Sequence, residues 1–107
     1  MQITITGRNI DVTPALRDYI DEKLARLDKK YLLKIVEAHA IFSVEKYRQA
    51  VEIIIVGKHM RLAGKEETGD LYTSIDNALS KIEKQLQKFK DKLKGHKFKG
   101  EQQEATG

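Results

Sequence analysis

The chain predicts an α+β domain of order β-α-β-β-β-α, a four-stranded, mostly antiparallel sheet with both helices on one face. Three observations carry that prediction. Apolar residues near the start and through the middle alternate with polar ones, the period of two that marks strands. Two other stretches, opening at Pro14 and Asp70, repeat apolar residues at steps of three and four, the spacing of one helix face. Most of the strands are apolar on one face only, so both helices must share a single core layer.

Each element has its own local reason. Ile3 and Ile5 alternate with Thr4 and Thr6, a short first strand ending at Gly7. Thr13 then offers an N-cap hydroxyl, and Pro14 stands in the first turn, where a missing N–H costs nothing. Leu16, Ile20, Leu24, Leu27 and Tyr31 supply the apolar face of this helix, expected over about Pro14 to Lys30. From Ile35 the pattern turns to β, with Val36, Ala38, Ala40, Phe42 and Val44 on the expected buried face and Glu37, His39, Ser43 and Glu45 opposite. Gln49 to Val56 follows after a few residues and is expected to pair with that strand as a hairpin. Its end is apolar on both faces, as in an interior strand. Gly57-Lys58 marks a turn into a last strand, about His59 to Glu66. Gly69-Asp70 breaks the chain again, and Asp70 is placed to cap a long second helix with Ile75, Leu79, Ile82, Leu86, Phe89 and Leu93 on its buried face.

Charge on this last helix is sorted. With Lys81 at zero and about 100° per residue, Lys84, Lys88 and Lys92 return to within roughly 60° of it, while the apolar row falls at roughly 80 to 160°. Asp76, Glu83 and Asp91 land at roughly 200 to 280° and leave the lysine stripe beside the apolar stripe unneutralised along the helix. From Lys81 to Lys99 eight lysines face only two acids, a local +6 in a chain whose total is +4. Such asymmetry points to a polyanionic partner, nucleic acid above all. The first helix sorts its charges more weakly: Lys23, Arg26 and Lys30 share a flank beside Tyr19, and Asp18, Asp21, Glu22 and Asp28 lie elsewhere. If the helices pack side by side, Lys23, Arg26 and Lys30 are expected to face Lys81, Lys84, Lys88 and Lys92 across a groove fit for a phosphate backbone.

Other functions find little footing. No cysteine occurs, which removes disulfides and thiolate metal sites and fits a reducing compartment. His39, His59 and His96 lack ligand spacing, so no metal and no cofactor is expected. Gly57 to Lys65 fails the spacing of a phosphate loop, and Glu66 stands where Ser or Thr would hold magnesium. No nucleophile elbow is present, and an enzyme is not expected. The N-terminus has no hydrophobic signal segment, and the longest apolar run, Ile53 to Val56, is too short for a bilayer, so a soluble cytoplasmic protein without a membrane partner is expected. The domain is expected to span residues 1–96, with a polar, disordered tail over 97–107. A seam for helix pairing is the weaker use of the apolar row, because the sheet needs that face, and the free protein is expected to be a monomer.

Ile5-Thr6-Gly7-Arg8-Asn9, Val12-Thr13-Pro14-Ala15-Leu16-Arg17, Glu22-Lys23-Leu24, Asp70-Leu71-Tyr72, Ile75-Asp76 and Lys81-Ile82-Glu83-Lys84-Gln85-Leu86 together resemble the short ribosome hibernation promoting factors. The resemblance covers about Gln2 to His96, and the Asp-x-Tyr-x-x-Ile-Asp run leading into a basic helix is its most specific part. It implies a β-α-β-β-β-α fold similar to the double-stranded RNA-binding domain with an added first strand. It also implies binding to the small ribosomal subunit and its ribosomal RNA, in the channel used by messenger and transfer RNA, as a steric plug in stationary or starved cells. Lys23, Arg26, Lys81, Lys84, Lys88 and Lys92 match basic positions of the family pattern. Tyr72 and Ile75 are expected to anchor the last helix to the core. Family members divide into long forms that pair ribosomes through a second domain, short forms that act with a separate ribosome modulation factor, and a tail-bearing inhibitor that opposes pairing. The ending from Lys90 to His96 resembles the short promoting form, whereas Glu101 and Glu104 leave the inhibitor open. Two alternatives remain at this point, a general double-stranded RNA-binding module and a protein-interaction adaptor using the lysine helix.

Overall fold

The computed structural model describes residues 1–95, with side chains through Phe89. β1 (Gln2–Arg8), α1 (Pro14–Tyr31), β2 (Ile35–Glu45), β3 (Arg48–Gly57), β4 (Arg61–Thr68) and α2 (Leu71–Gly95) follow one another in the expected order. One sheet holds all four strands in the order β1-β2-β3-β4. β1 runs parallel to β2, and the other two pairings are antiparallel. Parallel neighbours need a crossover, and α1 supplies it, so the first half of the chain is a βαβ unit and the second half a meander closed by a helix.

The core lies on one face of this sheet. Ala38, Ala40 and Phe42 of β2 sit across from Ile55, Ile53 and Val51 of β3, and all six are fully buried. Ile20 and Leu24 of α1 and Ile75 and Ile82 of α2 close over them, likewise with no exposure. Both helices therefore cover the same face, as a single apolar layer requires.

Three expectations are corrected. Val36 is not in the core: it is 58% exposed, while Ile35 is buried. A bulge between Ile35 and Glu37 shifts the β2–β3 register, so Val36 turns outward and the alternation starts one residue earlier. The Asp28 side chain fixes that start by accepting the Ile35 N–H at 3.2 Å. Phe89 is 60% exposed: it stands at the lysine-side margin of the apolar row, level with the first residue of β4. β4 opens at Arg61 instead of His59, since the Gly57 N–H donates to the Met60 carbonyl at 2.9 Å and draws residues 58–60 into the turn. Leu93, the last residue of the apolar row, and the expected tail, 97–107, lie outside the described side chains and residues.

α2 sits very close to β4. A Cβ on Gly64 would stand 2.4 Å from the Ala78 carbonyl oxygen and 3.1 Å from Ile82 Cγ1. The first of these is helix backbone, which cannot swing aside. Gly64→Ala is therefore expected to lift or tilt α2 at a cost of about 1–3 kcal/mol. Urea denaturation checks this, with a lower midpoint and an unchanged slope as the expected result.

Candidate nucleic-acid interface

Local chemistry sets the start of each helix. Thr13 Oγ1 accepts the Leu16 N–H at 3.1 Å and caps α1. Asp70 caps α2, its Oδ2 accepting both the Thr73 N–H and the Thr73 hydroxyl at 2.9 Å. Ser74, a fully buried polar side chain, donates to the Gln49 carbonyl at 2.7 Å and lies 2.7 Å from Thr68 Oγ1. Gln49 also accepts the Leu71 N–H through its side chain at 3.1 Å, so β3 holds the first turn of α2 at two points. The roll of α2 about its axis is fixed from this end.

That roll determines which flank of α2 faces which neighbour. α1 presents Lys23, Arg26 and Lys30 towards α2, as expected, and a groove of about 310 Å³ lies between the helices. Its other wall is Asp76, Leu79, Ser80 and Glu83. The expected wall of Lys81, Lys84 and Lys88 is not there. The lysine flank of α2 is turned to the opposite side, over β4, where Lys81 Nζ donates to the Lys65 carbonyl at 3.1 Å and pairs with Glu66. Gln85, one turn on, donates to the Ala63 carbonyl at 2.9 Å. The apolar row lies between the acidic and the basic flank, so a helix laid on the sheet must send them to opposite sides.

The groove is therefore a seam of paired charge. Lys30 Nζ lies 2.7 Å from Glu83 Oε2, which also accepts the Tyr31 hydroxyl at 2.9 Å. These two hydrogen bonds hold the Glu83 carboxyl below the usual carboxylate range, and the bond to Glu83 raises Lys30. Further along, Lys23 Nζ lies 3.7 Å from Asp76 Oδ1 and 5.2 Å from the centre of the Tyr19 ring. The Tyr19 hydroxyl donates to the same carboxylate oxygen at 2.7 Å, and mainly for that reason its pKa is pushed up to about 12. Tyr72 is expected, with Ile75, to anchor α2 to the core. It is 36% exposed and meets Tyr19 edge-on, ring centres 5.0 Å apart, while Ile75 is fully buried and does anchor the helix. The Tyr19–Tyr72 pair is one interhelical contact that periodicity missed, since each ring lies at the margin of its own apolar face.

The remaining basic residues differ in their commitments. Arg26 lies 3.5 Å from Glu22 on its own helix, both side chains well exposed. Lys84 and Lys88 are exposed, and neither makes an ion pair among the described residues. Lys92 belongs to α2, but its side chain lies outside those described. No helix among the described residues is long and apolar enough to cross a membrane.

Comparison with known proteins gives this geometry a context. The profile of the family described as Sigma 54 modulation protein / S30EA ribosomal protein matches residues 3–94. The chain belongs to this family. Proteins called ribosome hibernation promoting factor resemble it across most of its length: that of Klebsiella oxytoca is 34% identical over 90% of this chain and all of its own, and that of Azotobacter vinelandii 37% identical over 86% and 85%. Among solved structures, the N-terminal domain of Thermus thermophilus Protein Y superposes with a TM-score of 0.75 at 34% identity, covering 83% of this chain and 99% of that one. A ribosomal subunit interface protein from Coxiella burnetii gives 0.74 at 30% identity, over 85% and 99%. The α+β fold of this S30EA-family chain is thus the fold of its relatives.

Two titrations check the seam. Tyr19 holds its proton more tightly folded than unfolded, so this contribution to stability is complete below about pH 10 and is lost as pH climbs towards 12. Phenolate absorbance should show one tyrosine ionising near 12, and Asp76→Asn should return it towards 10. Glu83 is depressed in the folded state, so its contribution is present above the unfolded carboxylate pKa of about 4.3 and fades as pH falls through the folded value. Glu83→Gln should lower the urea midpoint at pH 7, and the gap from the wild type should close in acid.

Proposed function

We propose that this chain is a ribosome hibernation factor that binds the small ribosomal subunit over the messenger and transfer RNA channel and blocks translation as a steric plug. Its membership of the S30EA family, matched over residues 3–94, carries this reading. The names of its relatives, ribosome hibernation promoting factor and ribosomal subunit interface protein, support it. Lys84 and Lys88 on the outward flank of α2 are the side chains best placed for ribosomal RNA phosphates, because they are exposed and make no ion pair among the described residues. By its spacing in the sequence, Lys92 belongs to the same row of lysines. Lys81 can join only by leaving Glu66, and Lys23 and Lys30 only by leaving Asp76 and Glu83. Arg26 stands between these cases, tied to Glu22 in an exposed and weak pair.

The seam bears on mechanism as well. Asp76 and Glu83 neutralise Lys23 and Lys30 in the interhelical groove and so remove most of its attraction for a phosphate backbone, which biases contact to the outer flank of α2. A plug needs no chemistry, only affinity and bulk at a site that translation must occupy. Co-sedimentation with purified small subunits at physiological salt is the direct test, and a protein that stays in the supernatant overturns the reading. Lys84→Glu with Lys88→Glu should weaken binding by more than about tenfold while the circular dichroism spectrum is unchanged.

A further inference from the structure

The rotation of α2 that takes its lysines away from α1 brings them to the free edge of the sheet. β4 is an edge strand, with no further strand paired to it among the described residues, and the outer flank of α2 continues directly into its exposed side. Along β4 the side chains alternate. Gly64 and Glu66 face α2, in register with the buried Ile53 and Val51, whereas Arg61 and Lys65 belong to the open face and are exposed. α2 runs antiparallel to β4, with Lys81 beside Lys65 and Gln85 beside Ala63. Four more helical residues rise about 6 Å and two strand residues span about 6.6 Å, so Lys88 and Phe89 arrive at the level of Arg61.

The edge therefore carries two rows of cations, Lys84 and Lys88 on the helix and Arg61 and Lys65 on the strand, with an aromatic ring at one end. None of the four makes an ion pair among the described residues. The described acids nearby are largely spoken for: Glu66 holds Lys81, Glu67 lies 3.1 Å from Arg48, and Glu52, across from Lys65 in the register, remains. Phe89 is 60% exposed on an otherwise charged surface. A basic track with an open aromatic face is the arrangement that holds a nucleic-acid backbone and stacks one unpaired base.

We propose that ribosomal RNA is gripped along the β4 edge, with Arg61 and Lys65 sharing the phosphate contacts of Lys84 and Lys88, and Phe89 stacking on an unpaired base. This rests on the ribosome-binding reading above and names residues outside both helices' basic flanks. Affinity for purified small subunits, measured from 50 to 200 mM salt, tests it with three variants. Arg61→Gln with Lys65→Gln should flatten the salt dependence by about two contacts, so that the affinity lost over this range is roughly tenfold smaller than for the wild type. Phe89→Ala should weaken binding roughly fivefold or more with an unchanged salt slope. Lys29→Gln with Lys34→Gln removes the same charge at the end of α1 and in the loop after it, and should leave the slope as it was. If the two double variants change the slope alike, net charge is the cause and the proposal is overturned. It is also overturned if Lys84→Glu with Lys88→Glu weakens binding but the β4 pair and Phe89 do not matter, an outcome that leaves the ribosome-binding reading standing. A wild-type chain that fails to bind small subunits at all takes both readings down.

Discussion

The depth and roll of α2 on the sheet are what the charged surface of this protein depends on. Gly64 lets the helix backbone approach β4 to within the space that a methyl group would fill, and Gln49 and Thr68 hold Ser74 and the first turn. Once the helix is seated at that depth and angle, its narrow apolar row is the hinge between an acidic flank and a basic one. The pairs Lys23–Asp76, Lys30–Glu83 and Lys81–Glu66 then follow from which neighbour each flank meets. A bulkier residue at position 64 would disturb the surface as much as the core.

Much of the fold was legible because local signals agreed with one another. Thr13-Pro14 and Asp70 announced the two helix starts through the chemistry of their caps, and the observed hydrogen bonds are those caps. Alternation through Ala38, Ala40 and Phe42 located the buried face of β2. The misses have physical causes that sit elsewhere in the chain. Val36 is apolar and in phase with Ala38, so nothing local distinguishes it from a core residue; the bulge that expels it is set by Asp28, seven residues upstream. The end of α1 was expected to within a residue, at Lys30 against the observed Tyr31, but the left-handed turn after it was silent, since Leu32 and Lys34, with no glycine near, adopt φ of 52° and 54°.

The site was half legible. Helical geometry sorted acids from bases on both helices, and it placed the basic flank of α1 against α2. What it could not say is which flank of α2 would look back, because that requires the order of the strands and the hand of the crossover, neither of which is a property of α2 alone. The consequence is large: a supposed cationic trough becomes a neutral seam of Lys23–Asp76 and Lys30–Glu83, and the uncommitted charge moves to the far side. The family resemblance was legible throughout, since a run such as Asp70-Leu71-Tyr72 identifies relatives without specifying where each side chain points.

Lys81 and Gln85 also carry a consequence for the protein as a material. A lone rim strand offers its main-chain acceptors to any passing extended segment, and that is how soluble domains begin to stitch into fibres. Here the carbonyls of Ala63 and Lys65 are already engaged by an amide and an ammonium from the overlying helix. Along this rim the molecule carries its own selvedge, which leaves a second copy fewer main-chain acceptors to catch on.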